Sequence, residues 1–124
     1  MRGMCSEQDR VEGGEAPYFD TLAQTILARG SLLRFRVRGQ SMYPFVQAGD
    51  VLLIEPRGTD ELKIGDIIFY RRPWGSYVVH RLVRKQNGSA SLVTRGDNLA
   101  YDDEPVPLGQ VLGRAVSYTH LTLP

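Results

Sequence analysis

The chain has 124 residues, enough for one domain with a modest core and too few for two. Its 42% hydrophobic and 23% charged residues suit a soluble globular protein, and a formal net charge of +1 gives no electrostatic footprint for nucleic acid. No window approaches the ~18 consecutive apolar residues of a membrane helix. Cys5 is the single cysteine, which excludes an internal disulfide, and no apolar stretch precedes it as a secretion or lipoprotein signal requires.

Residues 1–16 are polar, contain "EGGE", and are expected to be disordered. Asp20 can cap a helix in which Leu22, Ala23, Ile26 and Leu27 recur at helical spacing, with Gly30 as its stop. That amphipathic helix is expected to pack on the domain; its small apolar face makes a membrane-surface role the weaker reading. After Gly30 the period becomes two. Leu33, Phe35 and Val37 alternate with Arg34, Arg36 and Arg38, the pattern of a strand with one solvated face.

Further strands are expected at "VLLIE" (51–55), "DIIFYRR" (66–72), "YVVHRLVRK" (77–85), "SLVTR" (91–95) and "VLGRAV" (111–116). Turn chemistry separates them, including Gly65-Asp66, Pro73-Trp74-Gly75 and Gly96-Asp97-Asn98, and Asn87-Gly88 is a strong hairpin signal. The fold class is therefore mainly β, a compact domain over residues 17–115 with one amphipathic helix at its N-terminus. The last stretch, "VSYTHLTLP" (116–124), changes character and resembles a translated sequencing adapter, so it is set outside the domain as a read-through tail.

The stretch "RGQSMYPFVQAGD" presents Ser41 between two strands, either as a nucleophile or as an ordinary turn hydroxyl. A serine needs a base to accept its proton. His120 falls in the tail, which leaves His80, predicted to share a strand face with Val78 and Leu82. Alone, such a histidine is commonly a satisfied core residue. A base also needs an orienting acid, and "RGDNLAYDDEP" supplies Asp97, Asp102, Asp103 and Glu104, any of which could instead belong to a turn or a solvated loop. Ser41, His80 and the acids in that order are what the bland readings leave unexplained.

The blocks "GQSMYPFVQAGD", "LKIGDIIFY", "VVHRLV", "TRGDNLAYDD" and "VLGRA" resemble, in order and spacing, the boxes of the signal peptidase I family over Leu32 to Ala115. The resemblance is to the archaeal and endoplasmic-reticulum branch, whose base is histidine. Bacterial-type enzymes and self-cleaving SOS repressors carry lysine at the place of His80. It implies a β-rich peptidase in which Ser41 attacks, His80 is the base and Asp103 the matching acid. Asp97 matches a further acid near the site, and Asp102 competes with Asp103 by one residue of loop slippage. Met42 and Pro44 match shaping residues of the nucleophile loop.

Three departures stand out. Gly39 occupies the place of a serine that assists the oxyanion hole, Leu99 replaces a second asparagine, and the family's apolar anchor helix is absent. Soluble relatives resemble the approach "LARGSLLRFRVRGQSM". The expected function is a serine endopeptidase acting on a peptide or preprotein, without metal or cofactor and without nucleic acid. Location is expected to be cytoplasmic or membrane-peripheral, with membrane attachment only by peripheral contact or a missing C-terminal segment. The alternatives are a self-cleaving regulator and a catalytically silent peptide-binding module.

Overall fold

The computed structural model describes residues 16–119 apart from 57, 87 and 89. Helix α1 (Ala16–Ala28) leads into strands β1 (Leu33–Arg36), β2 (Val51–Glu55), β3 (Ile67–Arg71), β4 (Tyr77–Gln86), β5 (Ser91–Arg95), β6 (Val106–Pro107) and β7 (Val111–Thr119). All pair antiparallel in one sheet of order β1-β2-β7-β3-β4-β5-β6. Residues 1–15 and 120–124, with Cys5 and His120, lie outside the described residues.

Helix α1 starts five residues earlier than an Asp20 cap would place it. Pro17 falls in the first turn, where a missing N–H removes no intrahelical bond. The stop is at Gly30 as expected. Its N–H donates to Leu27 O (3.0 Å) and that of Ser31 to Ile26 O (3.2 Å), while Gly30 holds φ 78°. This paired closure is the Schellman arrangement, which favours glycine at its left-handed position. The helix buries Ala23 and Leu27, whereas Leu22, counted on the apolar face, is 49% exposed.

The sheet curls around one core and leaves a second on its other face. The first core joins Ala23 and Leu27 to Leu33, Phe35, Leu52, Ile54, Phe69 and Val79. Phe35 meets Phe69 edge-on with ring centroids 5.0 Å apart. Full burial of a ring of this size contributes ~1.5–3 kcal/mol. The second core gathers Leu62, Ile68, Tyr70, Val78, Leu82, Leu92 and Val106. Strand alternation is thus what divides the two: on β4, Tyr77 and Val79 face one core, while Val78 and Leu82 face the other.

Strand β7 does not stop at Val116. Its pairing with β2 continues through Leu53↔Ser117 to Val51↔Thr119, so residues 116–119 of the expected tail form sheet. On its other side it pairs with β3, placing Gly113 opposite Phe69. A Cβ at Gly113 would run into the carbonyl of Glu55, so close approach of β2 requires glycine there. The short β6 is an element that no alternation announced.

Candidate active site

Ser41 sits on the loop that joins β1 to β2. Two backbone bonds pinch the loop base: Val37 N–H donates to Asp50 O (2.9 Å) and Gly49 N–H to Val37 O (2.8 Å). Met42 and Val46 are fully buried, and Val46 N–H donates to Met42 O (2.9 Å), so apolar anchors and a local turn fix the loop together. The Tyr43–Pro44 peptide is cis. Gly39 holds φ 87°, a conformation that an L side chain enters only with strain, so glycine here matches the loop's own backbone.

His80 lies on β4 between Val78 and Leu82, fully buried, on the face its alternation assigns. Its Nε2 is 3.1 Å from Ser41 Oγ, and its Nδ1 is 2.6 Å from Asp103 Oδ2. Asp103 is fixed in turn by its own N–H, which donates to Thr94 O (2.8 Å) on β5. The Thr94 hydroxyl donates to Asp103 Oδ2 (2.7 Å). The Tyr70 hydroxyl is 3.2 Å from that oxygen and 3.0 Å from Thr94 Oγ1, so its single proton serves both contacts.

Burial alone would raise the pKa of Asp103. The hydrogen bond and charge of His80, the Thr94 hydroxyl and the Arg72 cation outweigh it and hold the carboxyl below its ordinary range. Tyr70 is driven the other way, first by burial and then by the Asp103 charge, and so stays protonated as a donor. An ionised Asp103 can only accept, which puts the His80 proton on Nδ1 and leaves the Nε2 lone pair toward Ser41.

Asp97 and Asp102 stand elsewhere. Asp97 is held as a two-point pair by Arg81, with Nε to Oδ1 at 2.8 Å and Nη2 to Oδ2 at 2.7 Å. Arg81 also donates to Gly65 O (2.9 Å) and lies 5.0 Å from the centre of the Phe45 ring. Asp102 pairs with Arg84 (2.9 Å) and Arg95 (3.2 Å), on the exposed side of the sheet. Of the acids weighed from sequence, Asp103 is the one brought to His80.

The Gly96-Asp97-Asn98 turn clamps the Ser41 loop. Asn98 N–H donates to Ser41 O (2.8 Å), and its side-chain amide donates to Gln40 O (3.0 Å). A Cβ at Gly96 would come within 2.6 Å of Ser41 O and 3.1 Å of His80 Nε2, so only glycine leaves the pair room. Beside this loop a groove of about 390 Å³ is lined by Phe45, Leu52, Ile67, Arg81 and Ala115.

Sequence reasoning passed over Thr94 and Tyr70. The available signal was phase. On β3, Ile68 sits opposite His80, so Tyr70 two residues on must share its face; on β5, Leu92 and Thr94 alternate in the same way.

A model of the family described as "Peptidase S24-like" matches residues 4–116, most of the chain. The chain belongs to the Peptidase S24-like family. Among similar proteins, the signal peptidase complex catalytic subunit SEC11 of Clavispora lusitaniae is 39% identical over 66 residues, covering 51% of this chain and 39% of that protein. The SEC11 of Eremothecium gossypii is 43% identical over 67 residues, covering 51% and 40%. The chain thus spans about two-fifths of the length of these curated relatives. Both findings agree with the signal-peptidase resemblance of the five sequence blocks. Among its described residues no helix is long and apolar enough to cross a membrane.

Proposed function

We propose that this chain is a serine endopeptidase that cuts an extended segment of a preprotein, with Ser41 as nucleophile, His80 as general base and Asp103 as its orienting acid. The observation that carries the proposal is the unbroken line from Ser41 Oγ to His80 Nε2 (3.1 Å) and from His80 Nδ1 to Asp103 Oδ2 (2.6 Å). In the first step Ser41 Oγ attacks the scissile carbonyl while Nε2 takes its proton. The resulting imidazolium keeps its Nδ1–H on Asp103, whose charge stabilises it. His80 then returns the proton to the leaving amine, and water releases the acyl group by the same route in reverse. Such proton transfer contributes ~10²–10⁴-fold to rate.

With Gly39 in place of a serine, the oxyanion is assigned to backbone N–H groups at the nucleophile loop rather than to a side-chain hydroxyl. One lost donor of that kind costs ~3 kcal/mol of transition-state stabilisation, so a modest turnover is expected. The apolar groove beside Phe45 and Ile67 supports an extended substrate laid along the loop. Asp97 acts at a remove, by tying Arg81 to the turn that holds Ser41.

The test is cleavage of a preprotein bearing a signal peptide, by the wild-type chain beside Ser41→Ala and His80→Ala. Both variants are expected to lose cleavage while keeping the wild-type circular dichroism. Cleavage that survives both substitutions, or is absent from the folded wild type, refutes the Ser–His mechanism.

A further inference from the structure

A second cavity, of about 480 Å³, is lined by Asp103 but by neither Ser41 nor His80. One wall is the turn after β3, with Arg72, Pro73 and Trp74, and the other is Pro105, Val106 and Pro107 beside Asp103. Apolar rings and prolines are the walls of a site for an apolar group. Two arginines, Arg71 and Arg72, also line the cleft, and the Arg72 guanidinium lies 5.8 Å from the centre of the Trp74 ring. Arg72 has a side chain only 12% exposed, and its nearest acid oxygen is Asp103 Oδ1, 4.0 Å from Nη2 and beyond hydrogen-bond length. Its Nη1 is buried without a hydrogen-bond partner among the described residues.

Asp103 cannot satisfy this guanidinium as a two-point partner. Its Oδ2 already receives His80, Thr94 and Tyr70, and that grip fixes the carboxylate plane. A buried guanidinium with unmade N–H bonds favours a planar anion that meets it at two points, which describes a carboxylate. Glu104, the other acid on the wall, is exposed and screened by solvent. Gln110 adds an amide at the cleft, a partner for a main-chain group rather than for a bare alkyl chain.

We propose that this cleft is a second binding site, separate from the scissile-bond site, for the C-terminal carboxylate of a peptide ending in an apolar residue. The carboxylate meets Arg72, and the apolar side chain packs between Trp74 and the prolines. Nothing in this assignment depends on Ser41 chemistry, so the site and the proteolytic mechanism stand or fall separately.

Trp74 is the only tryptophan of the chain, and at 69% exposure its emission reports the cleft directly. The full chain is titrated with N-acetyl-leucine, N-acetyl-leucinamide and octanoate. A saturable change with N-acetyl-leucine at roughly millimolar concentration is expected, the scale for a ligand of that size. The amide is expected to bind at least tenfold more weakly, and Arg72→Gln to weaken the acid by the same factor. Equal binding of acid and amide, an unchanged affinity in Arg72→Gln, a response to octanoate alone, or no saturable response overturns the proposal. Should Arg72→Gln fail to fold, the wild-type amide spectrum decides: the Arg72 Nε–H and Trp74 Nε1–H signals must shift with the acid and stay put with the amide.

Discussion

Gly96→Ala puts the clamp on the Ser41 loop under a strain that the geometry defines. Its φ is ordinary, so alanine meets no backbone penalty, and the whole effect comes from the added methyl. That methyl would lie 2.6 Å from Ser41 O, 2.9 Å from Leu99 Cδ1 and 3.1 Å from His80 Nε2. Restoring an ordinary contact of 3.4 Å to Ser41 O requires a shift of 3.4 − 2.6 = 0.8 Å. The atom that must move is backbone, already tied to Asn98 N–H, and cannot rotate away as a side chain would. Overpacking of this kind costs ~1–3 kcal/mol, offset by ~0.4–1 kcal/mol from the stiffer unfolded chain, leaving about 1.3 kcal/mol of destabilisation at mid-range. A misplacement approaching 1 Å at reacting groups costs ~10²-fold in rate, so kcat/KM should fall by roughly 30–100-fold. Gly109→Ala is the control, because a Cβ there meets nothing within 4 Å. Cleavage kinetics and urea midpoints are measured on both. A Gly96→Ala enzyme with rate within threefold of wild type and an unchanged midpoint would refute the clamp.

Three other outcomes follow from the same geometry. Asp103→Asn is expected to lower kcat by ~10²–10⁴-fold through the wrong imidazole tautomer, whereas Asp102→Asn, which removes only exposed pairs with Arg84 and Arg95, should leave cleavage within twofold and stability within ~0.5 kcal/mol. Because the folded Asp103 pKa is depressed, its contribution to stability is complete above the ordinary 3.8 and is lost as pH falls through the lower folded value. Urea midpoints of wild type and Asp103→Asn should therefore differ above about pH 4, and the gap should close below it. Gly113→Val drives a side chain into the Glu55 carbonyl and parts β7 from β2, so thermal unfolding should shift down by many degrees or the chain should fail to fold.

Much of this was legible because strand alternation is a local signal. "VLLIE" and "SLVTR" fall on β2 and β5 residue for residue, and Leu33 and Phe35 turn inward while Arg34 and Arg36 stay exposed. The face of His80 was readable for the same reason. Asp103 was separable from Asp102 only through a bond made across the fold, from Asp103 N–H to Thr94 O. Thr94, Tyr70 and the clamp by Asn98 share that character: each acts through a register between strands, which no single segment encodes. The helix start was misread because Asp20 has the right chemistry for a cap, while Pro17, allowed only in a first turn, was the better marker.

The place of β7 in the sheet bears on what holds the proposed site together. Ser41 belongs to the β1–β2 side of the sheet, and His80, Thr94 and Asp103 to the β3–β6 side. Local hairpins can build each side as it is synthesised, yet β2 and β3 never pair with one another. The last strand is the seam between them, joining Ile54 to Ala115 on one flank and Phe69 to Gly113 on the other. Apart from that seam, the two sides touch through the shared core and the Gly96-Asp97-Asn98 clamp, with no strand pairing between them. Strand β7 is thus the hydrogen-bonded link that keeps the Ser41 side and the His80 side in one sheet.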